Sequence, residues 1–208
     1  MFWGESMAKT LTQKTNRIFA NNNGYARTRD LTAAGLHSSQ IKRLENEGQI
    51  IKLKRGLYKA AEYPMGDGEE LVDVSKIVPN GVICLLSALA FHELTTYQPW
   101  EHYVAIHRDA AKPTLPYYPP IRVVYFSEAQ YSIGTIGIDI HGHQVKIYDA
   151  EKTLCDCARY QNKLGKDVVK ESFRSYFNRP GKDVDKLMEY AKKTRVQSIV
   201  AQYAEVLL

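Results

Sequence analysis

Cysteine is scarce in this chain, with Cys84, Cys155 and Cys157 the three among 208 residues. An odd set without a secretory leader argues against a disulfide framework. Long apolar runs are missing as well. The longest, Gly81 to Phe91, is interrupted by Ser87 and falls short of the roughly 20 residues that span a bilayer. No basic-then-apolar leader with a small-residue cleavage site opens the sequence, so the expected compartment is the cytoplasm, with no membrane partner. The sequence has no G-x-x-x-x-G-K-[ST] loop to cradle a nucleotide phosphate and no G-x-S-x-G nucleophile elbow. Internal repeats and low-complexity tracts are also lacking. These absences lead to the expectation of a non-enzyme that carries no cofactor and no metal.

What is present is an ordinary globular composition with an uneven charge. Hydrophobic residues make up 44% and charged residues 25%, which places the chain among folded rather than disordered proteins. Of the net charge of +5, all lies in the first third. Residues 1–62 hold eleven Lys or Arg against five Asp or Glu, a net of +6, while 63–208 sum to −1. A basic head on a neutral body is the electrostatic footprint of a polyanion-binding module.

The head has a readable element order. Thr10 and Gln13 have capping-box spacing, and Leu11, Thr15, Ile18 and Phe19 share one helical face. The run Asn21 to Gly24 ends that helix. Thr28 reads as the N-cap of a second short helix through Leu31 to Ala34, stopped by Gly35. A third helix starts at Ser38 or Ser39 and ends at Gly48. Gln49 to Leu53 and Leu57 to Ala60 then form two β-prone runs around Lys54-Arg55-Gly56. Helix, helix, turn, helix and hairpin is the order of a winged helix-turn-helix.

The fold class expected for the whole is α+β: a tail at 1–8, the winged helix at 9–62, a linker at 63–68 and a mixed domain at 69–208. In that second domain Glu69 to Val78 and Gly81 to Leu94 read as helices. Tyr103 to His107 and Arg122 to Phe126 read as strands, and Ile133 to Ile140 with Gln144 to Tyr148 as a hairpin. Asp149 to Asn162, Lys166 to Phe177, Val184 to Lys193 and Val196 to Leu208 have helical patterns.

Candidate site residues follow from the third helix. Ile41 and Leu44 face inward, which turns Ser39, Arg43 and Asn46 outward, with Lys42 close by. Arg suits guanine, Asn suits adenine, and a Ser hydroxyl suits either a base edge or a phosphate. Ser38 or Ser39 at the helix start also aims backbone N–H groups at a phosphate. Lys52 and Lys54 alternate with Ile51 and Leu53, so both are expected on the outward face of the wing, with Arg55 at its tip. Arg27, Thr28 and Arg29 complete the set as a phosphate clamp. The expected partner is double-stranded DNA.

Several runs carry a family resemblance. They are Gly24 to Leu31, Leu44 to Gly48 and Arg55-Gly56-Leu57-Tyr58 in the head, then Val145 to Asp149, Glu151 to Asp156 and Asn162 to Asp167 in the second half. The chain resembles the AbiEi-type antitoxins, transcriptional regulators of type IV toxin–antitoxin and phage-defence systems. The resemblance implies a repressor that binds inverted repeats in its own promoter. One winged helix reads a half-site, so such an operator calls for two copies, a dimer on DNA. It also implies neutralisation of a nucleotidyltransferase-like toxin without a tight complex. Alternatives are a stand-alone winged-helix regulator whose second domain senses a ligand or dimerises, and a DNA-targeted nuclease.

The second half offers weaker chemistry. Cys155 and Cys157 on a helix point about 200° apart, which favours core packing over a shared metal. His141 and His143 flank Gly142 but lack a third ligand at zinc spacing. Asp139 with Gln144-Val145-Lys146 loosely echoes a metal-dependent nuclease, although Gln stands where the second acid is needed. Lys163, Lys166, Lys170 and Arg174 recur at three or four residues and form a second basic stripe if the segment after Asn162 is helical. That stripe is a further candidate contact to DNA or toxin.

Overall fold

The computed structural model describes residues 13–63 and 66–207. The expected tail at 1–8, Thr10 and Leu11 of the expected first helix, and Pro64 and Met65 of the expected linker lie outside the described residues. In the first helix, α1 (13–21), Thr15 and Phe19 are buried, as their spacing predicts. The Gly24 N–H closes its end on the Phe19 carbonyl at 2.7 Å. Gly24 has φ +84°, and a Cβ there would meet the Tyr63 ring at 2.6 Å, so glycine is required twice over.

The head then builds β1 (Tyr25–Arg27), α2 (Thr28–Ala33), α3 (Ser38–Asn46), β2 (Ile50–Lys54) and β3 (Leu57–Ala60). Strand β1 is absent from the sequence reading, being only three residues long. It pairs antiparallel with β3, giving a three-stranded sheet ordered β1-β3-β2. Thr28 is the first helical residue of α2 rather than its cap. The cap is Arg27, whose N–H donates to the Asp30 carboxylate at 2.9 Å. Phe19, Ala26, Leu31, Leu36, Ile41, Leu44, Ile50 and Tyr58 form the head's own core. Fully burying a side chain such as Leu31 or Leu44 contributes about 1.5–3 kcal/mol.

Beyond it come α4 (Glu69–Ile77), β4 (Val82–Ile83), α5 (Leu85–Phe91), β5 (His102–His107), β6 (Ile121–Phe126), α6 (Glu128–Tyr131), β7 (Thr135–Ile140) and β8 (His143–Tyr148). The expected helix over Gly81 to Leu94 is corrected here. Val82 and Ile83 form β4, and α5 begins only at Leu85, whose φ is +47°. A short apolar run fits a buried strand as well as a buried helix, so periodicity could not separate them. The five strands order as β6-β5-β4-β8-β7, with the parallel pairs β5–β6 and β4–β8 among antiparallel ones. The hairpin β7–β8 turns through His141 and Gly142, both at positive φ, as a tight two-residue connection demands.

The alternation of this sheet separates two cores. Ile83, Val104, Ile106, Val145 and Ile147 face α4 and the winged helix. Val82, Ala105, Phe126 and Tyr148 face a helical layer. That layer comprises α5 with α7 (Ala150–Arg159), α8 (Gln161–Leu164), α9 (Lys166–Asn178), α10 (Val184–Lys193) and α11 (Gln197–Leu207). Residues Glu151 to Ala158 of α7 are all buried, and the helix packs against α5, α9, α10 and α11. The single expected helix over Asp149 to Asn162 is broken at Tyr160. The α+β class, with a winged helix followed by a mixed domain ending in helices, is borne out. Among the described residues no helix is long and apolar enough to cross a membrane.

Candidate nucleic-acid interface

Helix α3 presents the face its sequence predicts. Ile41 and Leu44 are buried, while Ser38, Ser39, Lys42, Arg43 and Asn46 are exposed. The Gln40 side chain accepts the His37 N–H at 2.8 Å and holds the first turn. Two of the outward cations are paired along the helix, Arg43 with Glu47 at 2.6 Å and Lys42 with Glu45 at 3.3 Å. Exposed pairs of this kind are worth about 0–1 kcal/mol, so they yield readily to a stronger partner.

The wing is joined to the start of α2. The Thr28 N–H donates to the Gly56 carbonyl at 3.0 Å, which sets Arg27, Thr28 and Arg29, all exposed, beside the exposed Arg55 at the wing tip. Gly56 has φ +78°, a conformation that favours glycine at the reversal. Lys52 is exposed, as expected.

Lys54 departs from the expectation. Lys52 pairs with Tyr58 and Lys54 with Leu57, so Leu53 is an extra residue in β2, a bulge that breaks the two-residue alternation. Lys52 therefore shares the side of Tyr58, which packs in the head's core, while Lys54 turns the other way. Its ammonium donates to the Ile77 carbonyl at 2.5 Å, at the end of α4. Lys54 is a half-buried bridge to the body, not a free cation of the outer wing.

That bridge is one of several. Tyr25, Leu53 and Leu57 share a core with Val72, Val74, Ile77 and the body sheet. The Tyr25 hydroxyl donates to Asp73 at 2.7 Å, and Lys59 pairs with Asp73 at 2.7 Å and Glu69 at 2.6 Å. Burial, reinforced by Asp73, holds the Tyr25 phenol far above its ordinary value. His143 Nε2 lies 2.9 Å from the Asn23 carbonyl. In the stretch expected as a linker, the Gly66 N–H lies 3.2 Å from His141 Nε2. Sequence reading passed over Lys76 of α4, because a basic residue in the last turn of a helix is unremarkable. Its ammonium stands 5.5 Å from the centre of the Tyr25 ring. Burial first, then the Arg27 charge, lowers both Lys54 and Lys76 from the ordinary lysine value.

Residues 13–59 match the family described as transcriptional regulator, AbiEi antitoxin. The match runs from the first described residues of α1 into β3. No curated protein matches the chain.

Outside the AbiEi-matched segment the structure assigns the remaining candidates. Glu151, Lys152, Thr153 and Asp156 of α7 are buried scaffolding. Glu151 accepts from the Tyr176 hydroxyl at 2.7 Å, and Lys152 is bonded to Asp156. Cys155 and Cys157 are buried and free, packed in the helical core. Burial pushes the Cys155 thiol up to about 12. His141 and His143 point to different partners, and among the described residues no group of three His, Cys, Asp or Glu is placed to hold a metal. Asp139 is exposed and closes its own hairpin, accepting from the Gly142 N–H at 3.0 Å and the Gln144 amide at 3.1 Å. Lys163, Lys166, Lys170 and Arg174 are all exposed, but Gly165 at φ +100° separates α8 from α9. The continuous stripe is thus reduced to Lys166, Lys170 and Arg174 on one face of α9.

Proposed function

We propose that the protein is a DNA-binding transcriptional repressor acting as the autoregulating antitoxin of a type IV toxin–antitoxin system. The observation that carries the reading is the outward face of α3. Ser39, Lys42, Arg43 and Asn46 stand free of the core, beside a wing and an α2 start that carry Arg27, Arg29, Lys52 and Arg55. Hydroxyl, guanidinium and amide groups on one helix face fit the donor and acceptor pattern of a major groove. The flanking cations fit the phosphates on either side. The AbiEi match over the same residues supports the regulatory role. One winged helix reads a half-site, so an inverted repeat takes two copies.

A gel-shift titration against the gene's upstream duplex, at two salt concentrations, tests the reading. Binding tighter than to random duplex, and falling steeply with salt, is expected. Equal affinity for random duplex would overturn the repressor, and DNA cleavage on adding magnesium would replace it with a nuclease. The toxin role is tested by co-expression with a nucleotidyltransferase-like neighbour gene, where growth should be rescued without a co-purifying complex.

A second reading draws on a cleft of about 560 Å³ between wing and body, lined by Lys54, Arg55, Ile77, Ile106, Pro113 and Thr114. Release from DNA by a small molecule, without toxin neutralisation, would favour a stand-alone ligand-sensing regulator.

A further inference from the structure

We infer that Arg27, Lys54 and Lys76 form one phosphate cradle, through which the body of the protein grips the duplex backbone beside the wing. The inference rests on the DNA-binding reading and adds a contact from outside the winged helix.

The register brings the three together. Leu57 pairs with Arg27 on one side and with Lys54 on the other, so these two cations flank it on neighbouring strands. Directly paired residues point to the same side of a sheet, and strands lie about 4.8 Å apart. Tyr25, two residues before Arg27, shares that side and lies beneath the ammonium of Lys76. Lys54 reaches the carbonyl of Ile77, the residue next to Lys76. Arg27 is exposed, and Lys54 and Lys76 are half-buried, so the corner opens to solvent.

Its charge is uncompensated. Among the described residues none of the three is paired with a carboxylate, and Arg27 repels both lysines. The contrast with Lys59 on the same side of the sheet is direct, for Glu69 and Asp73 neutralise it. Glu69, Asp73 and Lys76 follow one another at helical spacing along the face of α4 that meets the head. The first two are acids set against a cation, whereas the third is a cation set against Arg27. The exposed end of a helix favours one lysine, yet Lys54 already takes the Ile77 carbonyl there. A bound phosphate relieves this repulsion. Lys54 keeps two of its three donors for it, Lys76 offers its own, and Arg27 offers its fork. The hydrogen bond from Thr28 to Gly56 puts the corner beside Arg29 and Arg55, continuous with the proposed backbone contacts.

The test uses the full chain with Lys76→Met, which keeps an apolar stem over Tyr25, and Lys76→Arg, which keeps the charge. Salt titration on the upstream duplex should give a slope of log affinity against log salt shallower by about 0.9 for Lys76→Met, one phosphate contact fewer, and unchanged for Lys76→Arg. Ethylation interference should lose one phosphate per half-site in the Met variant alone. An unchanged slope and footprint, with binding still weakened by Arg43→Ala, would overturn the cradle and leave the groove reading intact. Failure of the wild-type chain to prefer its upstream duplex would overturn both. Inorganic phosphate bound at the corner by phosphorus NMR, without a change in slope or footprint, would assign the cradle to free phosphate and overturn the backbone contact.

Discussion

The phenol of Tyr25, on the first strand of the winged helix, donates a 2.7 Å hydrogen bond to the buried carboxylate of Asp73 on α4. Asp73 also takes Lys59 from the third strand, so one acid of the body holds two strands of the head. Removing it takes this hydrogen bond from Tyr25 and one of the two acids from Lys59. Asp73→Ala should therefore cost about 3–5 kcal/mol in urea unfolding, as breaking a buried charge pair does. Tyr25→Phe, which leaves the ion pair in place, should cost about 1.5–3 kcal/mol. Equal costs for the two variants would show that Asp73 does not serve as the shared anchor.

Base reading and backbone clamping separate by mutation. On the proposed reading Arg43 exchanges Glu47 for a base edge, and Arg43→Ala should then relax preference at one base position by about 1–3 kcal/mol. Arg55→Ala should weaken binding to every duplex alike and lower the salt slope by about 1. Lys54→Ala should differ from both, because its bond to Ile77 ties the wing to the body. It should lose stability as well as affinity, read from the urea midpoint. A Lys54→Ala protein as stable as wild type would return Lys54 to the outer wing.

How far this was legible follows from the strength of each local signal. Ile41 and Leu44 revealed the α3 face because a nine-residue amphipathic helix has a clear period. Val184 to Lys193 was read to the residue for the same reason. Lys54 was misplaced because a single extra residue at Leu53 reverses the side of everything after it, and a bulge leaves no mark in composition. Strand β4 was hidden in an apolar run that is central to the sheet and buried on both faces. Lys76 became visible only once the head was seated on α4, since its neighbours Arg27 and Lys54 are distant in sequence. The AbiEi-like run Glu151 to Asp156 suggested function by resemblance, but its side chains are occupied in holding α7 to its neighbours.

The basic face of α9 is the remaining candidate for a second contact. Lys166, Lys170 and Arg174 are exposed and four residues apart, while Lys163 lies beyond the break at Gly165. Lys166→Glu with Lys170→Glu should leave the fold intact, because exposed charges contribute little to stability. If the face touches DNA, the double variant lowers the salt slope; if it serves toxin neutralisation, repression survives and growth rescue is lost. No change in either assay would assign α9 to a solvated surface.

The ion pair of Lys152 and Asp156 lies at 0% exposure in the helical core, with the ammonium 4.2 Å from the Tyr148 ring centre and 5.0 Å from that of Phe126. Asp156 Oδ1 has no hydrogen-bond partner among the described residues. Burial pushes the Asp156 carboxyl up to about 6, even with Lys152 beside it. Between the unfolded value of about 3.9 and that point, the folded chain keeps a proton that the unfolded chain has released. The stability contributed by this group therefore falls as pH rises through that window and is level above it. Asp156→Asn strands a buried ammonium and should cost about 3–5 kcal/mol at neutral pH, as should Lys152→Met, which strands the carboxylate. The Met variant should regain part of its loss at pH 5, where the carboxylate takes a proton. Replacing both, as Lys152→Met with Asp156→Leu, should come within about 1 kcal/mol of wild type or exceed it, because an apolar pair of similar volume carries no desolvation penalty. A double variant as unstable as the sum of the single ones would show that the two charges act independently.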